Sequence, residues 1–194
     1  MKNAFYIIIE GTIGVGKTSL AKILSKKIDA KIILEEFEDN PFLPDFYKNP
    51  KRYAFQTQLF FLLSRYRQQQ DLQQTDLFTK AIITDYMFIK DRLFAALNLN
   101  DKEMSLYNSV ASILEKSVPA PDLVIFLQSD TDRLMQNIKI RGREYEKMID
   151  WKYIDALNQM YNEYFFRYDA SPLLIINTND IDFVNNKNDL EEII

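Results

Sequence analysis

The sequence predicts an α/β fold, a five-stranded parallel sheet flanked by helices on both faces, and three observations carry that prediction. Short β-branched runs alternate along the chain with amphipathic stretches, a glycine-rich segment joins the first run to the first amphipathic stretch, and acidic residues follow two of the runs. Alternation of this kind winds parallel strands through crossover helices. Acids at the carboxyl ends of such strands face the crevice where ligands gather.

Taken in order, residues 5–9 form an apolar run that predicts the first strand, and 19–28 carry Leu20, Ile23, Leu24 and Ile28 at helical spacing. Residues 31–34, 81–84, 123–127 and 173–176 predict the remaining strands. Long helices are predicted over 53 to about 74, with Phe55, Leu59, Leu62, Leu63 and Tyr66 as apolar positions, over 102–117 and over 151–168. A further helix starts at Asp130 or Thr131 as cap, and 190–194 closes a last one. Pro41, Pro44 and Pro50 break the segment after the second strand, and Pro119 with Pro121 ends a helix before the fourth. There is no internal repeat, and Gln68-Gln69-Gln70 and Gln73-Gln74 are too short to be low-complexity tracts.

The 194 residues suit one domain, 1–194, with a substantial core. A net charge of −4 argues against a broad nucleic-acid-binding surface and leaves room for a small basic site, so the expected partner is a small molecule. No apolar run approaches the roughly 20 residues of a membrane helix, and the N-terminus lacks a signal-peptide pattern, so a cytoplasmic protein without membrane attachment is expected. The absence of Cys and His excludes thiol nucleophiles, disulfides and imidazole bases. What remains is carboxylates, cations, hydroxyls and a metal, an inventory that suits phosphoryl transfer, where positioning and charge neutralisation do most of the work.

Gly11-Thr12-Ile13-Gly14-Val15-Gly16-Lys17-Thr18 fits the phosphate-binding loop G-x-x-x-x-G-K-[ST] and lies between a predicted strand and helix, as that motif requires. Its backbone N–H groups and the helix N-terminus would surround a β-phosphate. Lys17 would bridge β- and γ-phosphates, and Thr18 would ligate Mg²⁺.

Four constellations follow the sheet. Glu35-Glu36 ends the second strand, and since neighbours on a strand point to opposite sides, one of the two is expected to function. Asp85 follows the third strand as an acid that supports Mg²⁺ through water or orients a nucleophile. Lys139, Arg141 and Arg143, followed by Glu144 and Glu146, lie on and beyond a helix whose Arg133, Asn137 and Arg141 share one face; Gly142 between two guanidinium groups fits an Arg-rich lid over about 137–149. Phe37, Phe42, Phe46, Tyr47, Tyr53, Phe55, Gln56 and Gln58 combine rings with amides, and one glutamine of that helix is a candidate for pairing with a nucleobase.

With these residues in place the chain resembles the deoxynucleoside kinase family, especially its bacterial members. The resemblance rests on Glu10 through Thr18, Glu35 with Asn40-Pro41, the segment 38–44, Phe46-Tyr47-Lys48-Asn49-Pro50, Gln58, Asp85, Asp91-Arg92, Arg141-Gly142-Arg143, Glu146 and Asp182-Phe183. It implies a P-loop kinase fold, ATP and Mg²⁺ as cofactors, a homodimer, and transfer of phosphate to the 5′-hydroxyl of a deoxynucleoside, with a purine preferred. By position it implies Glu35 beside the 5′-hydroxyl as base, Tyr47 and Glu146 on the 3′-hydroxyl and Gln58 on the base. Arg141 and Arg143 would meet the transferred phosphate, and Asp182 and Phe183 the adenine of ATP. Asp91 reads either as a base contact or as a solvated charge. The family commonly places an arginine after the third-strand acid; this chain has Asp85-Tyr86-Met87, so Glu35 and Asp85 both stand as candidate proton acceptors. Two alternatives are a nucleoside monophosphate kinase of the thymidylate kinase type and a non-catalytic ATP-dependent binding module. A guanine-reading Asn-Lys-x-Asp is not matched by 177–180, Asn-Thr-Asn-Asp, which lacks the lysine.

Overall fold

The computed structural model describes residues 4–37, 39–73 and 79–193. Glu38 of the resembling segment, the predicted helix end at Gln74 and the terminal Ile194 lie outside the described residues. The strands are β1 (Phe5–Gly11), β2 (Lys31–Ile33), β3 (Ala81–Thr84), β4 (Leu123–Gln128) and β5 (Leu173–Asn177). They form one sheet in the order β2-β3-β1-β4-β5, every pairing parallel, as the alternation of runs predicts. The helices are α1 (Lys17–Lys27), α2 (Leu43–Lys48), α3 (Pro50–Gln73), α4 (Lys90–Asn98), α5 (Asp101–Leu114), α6 (Thr131–Arg141), α7 (Trp151–Phe166) and α8 (Lys187–Ile193). Short 3-10 turns follow α5 at Glu115–Ser117 and α6 at Glu144–Met148.

Central β1 is buried from Tyr6 to Gly11 and divides the core. Ile7 and Ile9 point to the face covered by Leu20, Leu134, Ile138 and Ile154, whereas Tyr6 and Ile8 point to the face covered by Leu93, Leu157, Tyr161 and Phe165. Both faces are therefore apolar and covered, the condition under which an all-parallel sheet is stable. Among the described residues no helix is long and apolar enough to cross a membrane.

Two helices depart from the expectation. The proline-rich segment contains α2, because Pro44 occupies its first turn, where no N–H is needed for an intrahelical bond. α4 forms where no helix is predicted, and its first residues Lys90 and Asp91 are buried. Asp130 is the cap of α6, accepting from the Arg133 N–H at 2.7 Å, and Asn100 closes a capping box with Glu103 at the start of α5.

The loop between β1 and α1 is pressed against α6. A Cβ built at Gly14, whose φ is +91°, would lie 2.6 Å from the Leu134 carbonyl oxygen. Gly14→Ala is therefore expected to cost about 2–4 kcal/mol, the sum of a left-handed backbone penalty and an overpacked contact. A denaturant titration checks this, and a loss below about 0.5 kcal/mol, the range of an ordinary surface substitution, would show that α6 yields.

Candidate active site

The carboxyl ends of β1, β2 and β3 open into one cleft enclosing about 770 Å³ of non-atom space, its mouth included. Among the predicted site residues, Ile13, Lys17, Thr18, Glu35, Tyr47, Gln58, Asp85, Arg141, Arg143 and Glu146 line it. Arg65 and Lys90, which sequence reasoning did not single out, line it too.

The glycine-rich loop is held from below. Glu10, fully buried at the end of β1, accepts from the Gly11 N–H at 2.9 Å and from the Met87 N–H at 2.7 Å, tying the loop to the chain that leaves β3. Burial pushes the Glu10 carboxyl up. Thr12 donates to Asn158 of α7 at 2.8 Å, and Asn137 of α6 donates to the Gly14 carbonyl at 2.9 Å. Lys17 folds back on its own loop, donating to the carbonyls of Gly11 at 2.6 Å and Thr12 at 3.1 Å. Burial, with Lys90 adding repulsion, pushes its ammonium down to about 8.

The acids divide the labour between them. Asp85 accepts the Thr18 hydroxyl on one oxygen and the Glu35 N–H, at 2.8 Å, on the other. Glu35 lies two residues beyond β2 and turns inward, while Glu36 is exposed, so one of the pair enters the cleft as strand geometry predicts. Glu35 Oε1 accepts from Arg65 of α3 and Oε2 from Lys90 of α4. Burial alone would raise this carboxyl, but the two cations outweigh it and hold it well below the usual carboxylate range.

Asp91 is no solvated charge: it is fully buried in the first turn of α4 and ion-paired with Arg65. It stands behind Arg65 and is not among the residues lining the cleft. Gln56 is exposed and Gln58 is buried, because two residues along a helix rotate a side chain to the opposite face. Gln58 Oε1 is buried in the cleft wall without a hydrogen-bond partner. Arg65 lies seven residues, two helical turns, beyond Gln58 on the same face, and that spacing was the signal that could have found it.

Beyond α6, Arg141 places two hydrogen bonds, of 3.0 and 2.7 Å, on Glu146, and Arg143 adds one of 3.3 Å. The Arg143 guanidinium lies over the Phe37 ring, 3.9 Å from its centroid. Tyr47 stacks on Tyr145, and burial raises its phenol far above the usual range, so the hydroxyl stays protonated. Phe183 lies outside the cleft lining, buried in the core beside the loop: a Cβ at Gly16 would meet its ring at 2.8 Å. Asp182 is half-buried and accepts from the backbone of Val184 and Asn185; bonds from Asn185 pull its carboxyl down.

Cations and carboxylates ordered in this way at the open end of a parallel sheet define an α/β phosphotransferase, the class whose chemistry needs charge neutralised more than bonds exchanged with the protein. A family model described as deoxynucleoside kinase matches residues 7–194. The chain belongs to the deoxynucleoside kinase family, and its activity is phosphoryl transfer to a deoxynucleoside. The chain is 38% identical to the deoxyguanosine kinase of Bacillus subtilis (strain 168) over 200 residues, covering all of this chain and 96% of that protein. It is 31% identical to the deoxyadenosine/deoxycytidine kinase of the same organism, across 97% of this chain and 89% of the other. The structure of deoxyadenosine kinase from M. mycoides with bound dATP matches with a TM-score of 0.84 at 28% identity, covering 97% of this chain and 96% of that one.

Proposed function

We propose that residues 1–194 form a single kinase domain that moves the γ-phosphoryl group of ATP to the 5′-hydroxyl of a purine deoxynucleoside. The observation that carries this reading is Glu35, ionised and fixed by two cations in the same cleft as Lys17 and Thr18. Glu35 accepts the hydroxyl proton as the O5′–P bond forms and the bond to the ADP oxygen breaks. Asp85 accepts the hydroxyl of Thr18, the residue assigned to Mg²⁺, and is the metal-supporting acid. The Thr18 hydroxyl and Asp85 carboxylate are hard oxygen donors that fit Mg²⁺. When bound, that ion neutralises phosphate charge. Lys17 and the Gly11, Thr12, Ile13, Gly14, Val15 and Gly16 backbone hold the triphosphate, with Asp182 and Phe183 on its adenine side. Arg141 and Arg143, in a lid over about 137–149, exchange Glu146 for the transferring group. Tyr47 and Glu146 hold the 3′-hydroxyl, and Gln58 offers its unpartnered oxygen to the base, with Asp91 acting through Arg65.

The monophosphate-kinase alternative needs a cation for the acceptor's phosphate. Arg65 and Lys90 are engaged with Glu35 and Asp91 instead, and Arg141 and Arg143 are taken up by the transferring group. The relative named deoxyguanosine kinase supports a purine, while the name of the deoxyadenosine/deoxycytidine kinase joins a purine to a pyrimidine. A homodimer in the cytoplasm is part of the proposal, supported by Leu63 on α3 with Leu106 and Ile113, seven residues apart on α5, which are 40%, 56% and 69% exposed.

Initial rates with Mg-ATP and deoxyguanosine, deoxyadenosine, deoxycytidine, thymidine or deoxythymidine monophosphate test this. A purine deoxynucleoside is expected to be turned over fastest, and Asp85→Asn to raise the Mg²⁺ concentration needed for half-maximal rate. Turnover of the monophosphate alone would establish the alternative, and binding of Mg-ATP without any turnover would establish a binding module.

The Lys17 ammonium adds a pH dependence. Pushed down to about 8, it is charged below that pH and must take up a proton to meet phosphate above it. The Kd for Mg-ATP is expected to be level near pH 7 and to rise about tenfold per pH unit above about pH 8. A calorimetric titration that stays level to about pH 9.5 would refute this.

A further inference from the structure

The chain leaving β3, Asp85-Tyr86-Met87-Phe88-Ile89, contains no cation, and Tyr86 is fully buried. Cationic support for Glu35 instead arrives five residues after Asp85, at the first residue of α4. Lys90 Nζ donates to Glu35 Oε2 while Arg65 donates to Oε1, so the two oxygens are held by cations from different helices. Arg65 is shared with Asp91. Without Lys90, one guanidinium would face two buried carboxylates.

Lys90 is itself held. Its backbone N–H donates to the Met87 carbonyl at 3.1 Å, and the Met87 N–H is the one fixed by Glu10, so the turn that presents Lys90 is tied to the root of the glycine-rich loop. Its ammonium lies 5.8 Å from the Phe94 ring centroid, and both side chains line the cleft.

We propose that Lys90 is a positioning residue for phosphoryl transfer, fixing the free direction of the Glu35 carboxylate toward the acceptor hydroxyl. This rests on the reading of Glu35 given above. A counter-ion that merely offsets charge would affect folding and leave turnover alone. A positioning residue acts on kcat and only through Glu35.

The test measures kcat and KM for deoxyguanosine and deoxyadenosine, KM for ATP, and thermal unfolding in wild type, Lys90→Met, Lys90→Gln, Lys90→Arg, Glu35→Gln and the double variant Lys90→Met/Glu35→Gln. Lys90→Met is expected to lower kcat about 10–100-fold with KM for ATP changed by less than about twofold, as loss of transition-state positioning requires. Lys90→Gln, which keeps a donor without the charge, carries the same expectation if Lys90→Met fails to fold. Lys90→Arg is expected to restore kcat to within about threefold of wild type, and in the Glu35→Gln background Lys90→Met should change kcat by less than about threefold, because the effects of residues acting as a unit are non-additive. Wild-type kcat with only a lower melting temperature, or losses that multiply in the double variant, would overturn the role of Lys90. A wild-type protein that turns over no deoxynucleoside would overturn the reading of Glu35, and this proposal with it.

Discussion

Glu35→Gln is expected to lower kcat by about 10²–10⁴-fold, the range spanned by loss of a positioned general base. The substitution keeps the shape of the side chain and removes its charge. It also turns an amide donor toward Arg65 or Lys90, both of which need an acceptor there. KM for ATP should change little, because Lys17 and the loop carbonyls it meets do not touch Glu35. Stability offers a second readout. The Glu35 carboxyl is held well below its ordinary value in the folded protein, so its contribution is complete above the ordinary carboxylate range, begins to fall within it and is fully lost only as pH drops through the depressed folded-state value. The gap in unfolding free energy between wild type and Glu35→Gln should therefore narrow steadily as pH falls below about 5 and go on narrowing below the ordinary carboxylate range. A gap that persists unchanged at acid pH would refute the ionised, cation-held state.

Arg65→Met should damage folding most, by about 3–5 kcal/mol, the usual cost of stripping one partner from a buried ion pair. The Arg65 side chain is 4% exposed and that of Asp91 is 1% exposed, so water cannot replace the lost partner. One oxygen of Asp91 already lacks a hydrogen bond, which leaves the carboxylate dependent on Arg65. Denaturant unfolding of Arg65→Met and of the double variant Arg65→Met/Asp91→Asn separates charge from shape. The double variant is expected to recover at least about 1 kcal/mol, since the neutral amide is cheaper to bury unpaired. If instead the second substitution adds a further loss, the buried charge is not what Arg65 compensates.

The strands were legible because fully buried parallel strands read as short β-branched runs, and Ala81–Thr84 matches its prediction residue for residue. α2 was hidden by the same chemistry that starts it: proline breaks a helix interior yet suits a first turn, and periodicity over six residues cannot distinguish the two. α4 was hidden because it buries Lys90 and Asp91, contrary to the polar-outward pattern on which helix prediction relies. In the cleft, Lys17, Glu35 and Asp85 were legible because they follow strands or loops of recognisable type. Lys90 was not, since it meets Glu35 across 55 residues of chain and no local pattern encodes such a pairing; Arg65, which meets Glu35 across 30, was reachable only through its seven-residue spacing from Gln58. Asp91 was left between two readings because a charge in a short uncharted helix gives no sign of whether it meets water or an arginine.

The hydrogen bond from Asn137 to Gly14 and the contact of Gly14 with the Leu134 carbonyl pin the middle of α6 to the glycine-rich loop. A rigid rod fastened there has a short free arm: Arg141 is four residues further on, about 6 Å along the axis. Tilting the whole helix by about 10° would move that end by only about 1 Å, which follows from the same rise per residue. The two arginines, which already line the cleft, therefore cannot be moved far by the helix as a lever. Their travel must come from their own long side chains and from backbone rotation at Gly142, the left-handed residue that follows the rod. In the proposed lid, motion is confined to the tip, and its stroke is set by side-chain reach.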